Sequence, residues 1–166
     1  MSRAVLGIGS NLGDRRAHLQ SAVDGLVGAV IAVSGVYESP PWGGVPQDDY
    51  LNAVLLVDDP DTSARGWLDR SRALETVAAR VRGDRWGPRT LDVDVVAVEG
   101  VTSMDPELTL PHPRAAERAF VLVPWLDVQP DAVLPGVGPV RDLVAGFGDA
   151  VLRRRDDLAL ALPDGW

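Results

Sequence analysis

The chain has 166 residues, of which 46% are hydrophobic and 24% charged, with a formal net charge of −8 and no cysteine. That length allows one domain with a real core, and the absence of cysteine excludes disulfides, thiol catalysis and Cys-ligated metal centres. All 16 basic residues are arginine, so a P-loop, which needs its lysine, and lysine Schiff-base chemistry are both excluded. The acidic balance argues against non-specific nucleic-acid binding. No stretch has the length and apolarity of a membrane span or signal peptide, and a cytoplasmic protein is expected.

Residues 3–8 read as a buried strand, followed by a turn at Gly9-Ser10-Asn11-Leu12-Gly13. Asp14 is a plausible N-cap, and Leu19, Ala22, Val23 and Leu26 recur at helical spacing, which predicts a helix over 14–27. Residues 30–38 predict a second strand with Ile31, Val33, Gly35 and Tyr37 on one face. A Pro/Gly-rich loop containing Trp42 follows, long enough to suggest a functional loop. Residues 50–57 predict a third strand, with Tyr50, Asn52, Val54 and Leu56 sharing a face. An aromatic and a carboxamide there suit a flat heterocycle: the ring stacks and the amide supplies a donor and an acceptor. Asp61 or Thr62 is expected to cap a helix running to about Arg80, with Trp67, Leu68, Leu74, Val77, Ala78 and Val81 as its apolar stripe.

The densest chemistry lies in Arg85-Trp86-Gly87-Pro88-Arg89-Thr90-Leu91-Asp92-Val93-Asp94. Its first part is a loop, and Asp92 to Val98 alternates as a strand does. Period two places Asp92 and Asp94 on one face, roughly 6.6 Å apart. Two carboxylates so spaced can hold Mg²⁺ against phosphates, and neighbouring arginines can clamp phosphate oxygens. Arg72, Arg80, Arg82, Arg85 and Arg89 cluster beside the aspartates, which points to an anionic small molecule as ligand. The element order is βαββαβ, a ferredoxin-like α+β topology with helices on one side of the sheet. A proline-rich C-terminal extension follows, in which residues 114–123 return to the core, a short helix follows Pro139, and Leu158 to Leu162 form an edge strand. Within it, Pro111-His112-Pro113 holds a histidine stiffly.

These motifs together resemble the 6-hydroxymethyl-7,8-dihydropterin pyrophosphokinase family of folate biosynthesis. The resemblance runs from Gly-Ser-Asn-Leu-Gly at 9–13 and Tyr-Leu-Asn-Ala-Val at 50–54, through Arg-Trp-Gly-Pro-Arg-Thr-Leu-Asp-Val-Asp at 85–94, to Leu-Pro-His-Pro-Arg at 110–114 and Glu-Arg-Ala-Phe-Val-Leu-Val-Pro at 117–124. It implies pyrophosphate transfer from ATP to the pterin hydroxymethyl group, releasing AMP, by a single domain over residues 1–166 that acts as a monomer on small molecules, with neither nucleic acid nor membrane as partner. It also implies that Asp92 and Asp94 hold two Mg²⁺, and that Arg80, Arg82, Arg89, His112 and Arg118 contact phosphates. Arg80, Arg82, Trp86 and Arg89 carry the catalytic roles, with Trp86 and Arg82 closing over the nucleotide. Arg72 and Glu75 fall among the ATP-binding positions. Tyr50 and Phe120 sandwich the pterin, Asn52 reads its edge, and Ser39, Pro40 and Trp42 line its pocket. Loops near 10–14, 39–49 and 80–90 are mobile lids in this family.

The chain departs from the family pattern at Ala79, where glycine is usual, at Arg72, where the family has a glutamine-like residue, and in an arginine loop one residue short between Arg82 and Trp86. These leave the separate roles of Arg80 and Arg82 open, and no general base stands out. Two other classes fit the topology. A ferredoxin-like RNA-binding module needs a basic face and exposed aromatics on its central strands, and the charge opposes it. A small-molecule-sensing regulatory domain has no need of the aspartate pair beside an arginine loop.

Overall fold

Strands rich in Val, Leu and Ala pair edge to edge into one antiparallel six-stranded sheet in the computed structural model, which describes residues 2–40, 48–80, 90–147 and 152–162, without the side chains of residues 79 and 80. The strands are β1 (Arg3–Ser10), β2 (Val30–Val33), β3 (Tyr37–Ser39), β4 (Tyr50–Asp58), β5 (Asp92–Val98) and a C-terminal edge strand, Arg153–Arg154. The sheet order, with that edge strand first, is Arg153–Arg154, β3, β4, β1, β5, and β2 also pairs with β4. The chain is therefore an α+β fold built on an antiparallel sheet.

Alternation along the strands divides the core in two. Ala4, Leu6, Ile8, Leu55, Val57, Val93 and Val95 face helices α1 (Arg15–Gly25) and α2 (Ala64–Arg80), which contribute Leu19, Ala22, Val23, Trp67 and Ala78. Val5, Val54, Leu56 and Val96 face the other way. They are covered by Val121, Leu122 and Trp125 of α3 (Ala119–Val128) and by Val140 of α4 (Val140–Ala145). Each such fully buried aliphatic side chain contributes about 1.5–3 kcal/mol relative to exposure.

α1 and α2 lie together on one side of the sheet, and the C-terminal helices add a second helical layer on the other face. Of these, α3 is the one the sequence did not announce. Ala-Phe-Val-Leu-Val-Pro-Trp-Leu is apolar nearly all round, and Pro124 lies inside the helix. A run without polar residues has no readable period, so strand and buried helix look alike.

Other boundaries differ for local reasons. β1 continues through Gly9 and Ser10, because both pair with β4 and Gly9 also pairs with β5. Asp14 does cap α1, its carboxylate accepting from the Ala17 N–H at 3.1 Å. The expected strand over 30–38 breaks at Ser34–Val36 into β2 and β3. A bulge between Val30 and Ala32 puts Ile31 against the α3 side and Val33 against the α1–α2 side, so those two do not share a face. The cap of α2 is Ser63, whose Oγ accepts from the Gly66 N–H at 3.0 Å, not Asp61 or Thr62. Val77 is 62% exposed and lies off the apolar stripe. The C-terminal edge strand is Arg153–Arg154, while Leu158 and Leu160 pack on the α1–α2 side of the core outside any strand. A hairpin of β6 (Ser103–Asp105) and β7 (Leu108–Leu110) follows β5. No described helix is long and apolar enough to cross a membrane.

Candidate active site

The sheet register lines up the polar residues. Gly9 pairs with Asn52 on one side and Asp92 on the other, and Tyr37 pairs with Asn52. In the next row Gly7 pairs with Val54 and with Asp94. Directly paired residues point to the same face, so Tyr37, Asn52, Asp92 and Asp94 all face the side that carries α3. At an inter-strand spacing of about 4.8 Å, Asn52 and Asp92 stand roughly 10 Å apart across a strip of backbone.

α3 covers only part of that face. Where it ends, a cavity of about 400 Å³ opens, within the range of small-molecule sites. Its floor is Gly7, Ile8 and Gly9. One wall is Ser39, Pro40, Tyr50 and Asn52; the opposite wall is Asp92 and Asp94; Arg114, Glu117, Arg118 and Phe120 close it from the α3 side. Glycine at position 9 matters for the space itself. A Cβ there would sit 3.4 Å from Asn52 Oδ1 and 3.5 Å from the Tyr50 ring, in the volume between the walls.

The polar groups are held in place. Asn52 is buried, and its Nδ2 donates to Tyr37 O at 3.2 Å and Ser39 Oγ at 2.8 Å. The Arg118 guanidinium stands 3.6 Å from Asp94 Oδ2 and 5.5 Å from the Phe120 ring centre, so it links the acidic wall to the aromatic one. Glu75 Oε2 accepts from the Val93 N–H at 2.9 Å, tying α2 to the strand between the two aspartates. His112 is anchored by its N–H to Val96 O at 2.8 Å, and its Nδ1 accepts from the Arg114 N–H at 3.2 Å. Burial holds its imidazole below the ordinary value; Asp94 opposes this, while Arg118 and Arg114 add to it.

Of the expected site residues, the structure gathers Ser39, Pro40, Tyr50, Asn52, Asp92, Asp94, Arg118 and Phe120 around one cavity. Glu75 and His112 stand behind the aspartate strand. Arg72 lies elsewhere: it is half-exposed and 3.6 Å from Glu107 in the β6–β7 turn, where Glu107 also meets Arg65 at 3.0 Å. Trp42, Arg82, Trp86, Arg89 and the side chain of Arg80 lie outside the described residues, as do most of the loops at 39–49 and 80–90. The cavity also includes residues the sequence reading passed over. Gly7 and Gly9 carried a signal, since glycine inside a strand marks a close approach to its backbone. Arg114 lay in the Leu-Pro-His-Pro-Arg string. Glu117 carried no separate signal.

The paired carboxylates suit a hard cation. Among the described residues no group of three or more His, Cys, Asp or Glu forms a protein cage for a metal. Mg²⁺ commonly needs only one or two carboxylates, with water and phosphate oxygens filling the other positions. Two strand-borne aspartates facing an open cavity fit that donor set.

Residues 5–130 match the family model described as 7,8-dihydro-6-hydroxymethylpterin-pyrophosphokinase (HPPK). The 2-amino-4-hydroxy-6-hydroxymethyldihydropteridine pyrophosphokinase of Mycobacterium bovis is 48% identical, over 98% of this chain and 92% of its own. Its namesake in Mycobacterium leprae is 56% identical over 83% of this chain and 78% of its own, and that of Methylorubrum extorquens 42% identical over 93% and 99%. Among solved structures, the Plasmodium falciparum HPPK-DHPS is similar in fold, with a TM-score of 0.63 at 13% identity over 89% of this chain. This chain spans only 44% of that longer one. A family match over most of the chain, with relatives this similar along nearly their whole length, means that the chain belongs to the 7,8-dihydro-6-hydroxymethylpterin-pyrophosphokinase family.

Proposed function

We propose that the described cavity is the pterin pocket of a pyrophosphokinase and that the acidic wall is where the ATP phosphates lie. The chain transfers pyrophosphate from ATP to 6-hydroxymethyl-7,8-dihydropterin in folate biosynthesis. The pterin hydroxymethyl oxygen forms a bond to the β-phosphorus, the bond from that phosphorus to the α-phosphate oxygen breaks, and AMP leaves. One observation carries the residue assignment: two aromatic rings on different sides, Tyr50 and Phe120, line the same cavity as Asp92 and Asp94.

In this reading Tyr50 and Phe120 sandwich the pterin, and Asn52, Ser39 and Pro40 meet its edge, with Trp42 beside them. Asp92 and Asp94 would hold Mg²⁺, two ions in all, whose chemistry is to neutralise phosphate charge. Arg118 bridges the two halves, so it can hold a phosphate oxygen while its guanidinium stays over the Phe120 ring. Arg80, Arg82, Arg89, His112 and Trp86 complete the phosphate and nucleotide contacts. Glu75 steadies the aspartate strand from behind, and Arg72 reaches the nucleotide only by leaving Glu107. Transfer of this kind needs in-line positioning and charge stabilisation more than a covalent residue. The reading includes a single domain over 1–166, a ferredoxin-like βαββαβ core, supported by the order β3–β4–β1–β5, a proline-rich C-terminal extension, a monomer, and a cytoplasmic setting.

The test is an assay of the purified chain with ATP, Mg²⁺ and the reduced pterin, in which AMP is the expected nucleotide product. Asp92→Ala and Asp94→Ala should each lower turnover by about a hundredfold or more, the scale of losing a key electrostatic stabiliser, while the pterin still binds. Near-normal turnover of both variants at saturating Mg²⁺ would overturn the assignment of the acidic wall.

A further inference from the structure

We propose that Glu38 is a positioning residue for the pterin side of the cavity, acting through Arg15 and braced by Arg155. Glu38 alternates to the face opposite Ser39 and does not line the cavity, so any effect on the ligand must pass through others. Its Oε2 accepts from Arg15 Nη1 at 2.9 Å. The same Nη1 donates to the backbone oxygen of Asp49 at 2.8 Å. One nitrogen thus grips both paired strands immediately before their cavity residues: Ser39 follows Glu38, Tyr50 follows Asp49, and Ser39 pairs with Tyr50. Asn11 adds a parallel grip, its Nδ2 donating to Asp48 O at 3.2 Å.

The brace comes from the far end of the chain. Arg155 Nη1 donates to Glu38 Oε1 at 3.3 Å. Arg155 is itself fixed, its backbone N–H donating to Val36 O at 2.7 Å and its guanidinium forking onto Asp157 at 3.0 and 2.9 Å. The Glu38 side chain is only 14% exposed, so the two guanidiniums hold it with little screening by solvent. What the relay orients is the wall formed by Ser39, Tyr50 and Asn52, because Ser39 Oγ receives the Asn52 amide at 2.8 Å. Asp92 and Asp94 are on the opposite wall and Arg118 closes the cavity from the α3 side, all outside the elements that the relay touches.

The consequence is selective. This inference rests on the cavity taking the pterin. With Glu38→Gln, the KM for the reduced pterin should rise about tenfold while that for ATP stays within about twofold, a split that a general loss of fold does not produce. Arg15→Gln should do the same, and the double variant should be no worse than either single one, because both break one link. Arg15→Lys, which keeps a cationic donor able to reach both oxygens, should recover most of the affinity. An unchanged pterin KM in folded Glu38→Gln protein would overturn the proposal, as would pterin and ATP KM rising together. Should Glu38→Gln fail to fold, Arg155→Gln decides: a smaller but selective rise in pterin KM supports the relay, and no rise overturns it. Tyr50→Ala separates the two questions. If it too leaves pterin KM unchanged, the cavity assignment has failed; if it raises pterin KM while Glu38→Gln does not, only the relay has.

Discussion

A carboxamide with both of its hydrogens engaged can offer a ligand only an acceptor. That is the state of Asn52, whose Nδ2 donates to Tyr37 O and Ser39 Oγ. Asn52 then contributes one oxygen to recognition on this wall, beside Ser39 and the stacking rings. Tyr50→Ala and Phe120→Ala should each weaken pterin binding by on the order of 1–3 kcal/mol through lost stacking and burial, with ATP affinity nearly unchanged. Calorimetry with each substrate checks this, and equal losses for both would mean that the rings serve the core. Gly9→Val should act from the floor. The added atoms enter the space beside Asn52 and Tyr50 and should reduce pterin affinity with little change in melting temperature. At this scale the sequence revealed side chains with distinctive chemistry, because Asp, Tyr, Asn and Arg announce what they can do. It did not reveal Gly7 and Gly9 as a floor, since a glycine's contribution is space and depends on which strands lie beside it. The resting partner of Arg72 was hidden for a related reason: nothing in the sequence brings Glu107 of the β6–β7 turn to the side of α2, yet that carboxylate stands 3.6 Å from it.

Elements whose pattern is local were legible, and those fixed by distant partners were not. β4 and β5 alternate or run apolar between clear boundaries, and they form where their patterns put them. The C-terminal edge strand has no such pattern. Arg153 and Arg154 sit there because distant groups hold them: Arg154 Nη1 donates to Tyr37 Oη at 2.7 Å, and Tyr37 Oη donates to Asp127 at 2.8 Å. Burial, with Asp127 beside it, pushes the Tyr37 hydroxyl up to about 12, so it remains a donor throughout the working range. Neighbouring Glu38 gives this edge a pH dependence. Burial pushes its carboxyl up, but Arg15 and Arg155 outweigh that and hold it below its ordinary value of 4.5. A folded value below the unfolded one means that the unfolded chain binds the proton more readily. The stabilisation is therefore fully present above about 4.5 and is lost as pH falls through the folded value. Melting temperatures of the wild-type and Glu38→Gln proteins should differ most near neutrality and converge below pH 4.5. A gap that stays constant down to acid pH would show that the carboxylate's charge is not what stabilises this edge.

On the scale of the whole molecule, one sheet separates two cores, and only one of them carries the cavity. Trp67 and Trp125 make the comparison direct. Trp67 of α2 is fully buried on the α1–α2 side, its Nε1 donating to Ser2 Oγ at 2.7 Å. Trp125 of α3 is 2% exposed on the opposite side, its Nε1 donating to Gln129 Oε1 at 2.9 Å. Phe120 lies five residues before Trp125 on the same helix, and Arg118 immediately precedes that helix. Replacing either tryptophan by phenylalanine removes similar volume and one hydrogen bond, so each should cost about 1–3 kcal/mol of stability. Their functional effects should differ. Trp125→Phe loosens the seating of α3 on the sheet, so Phe120 and Arg118 lose their fixed positions and pterin affinity should fall severalfold. Trp67→Phe loosens the other layer and should leave pterin affinity unchanged in the folded fraction. Denaturant melts establish that the two variants are comparably destabilised, and calorimetry well below the transition then measures binding. Equal losses of affinity would mean that the two layers move together through the sheet. A loss confined to Trp67→Phe would mean that α3 does not position the cavity wall.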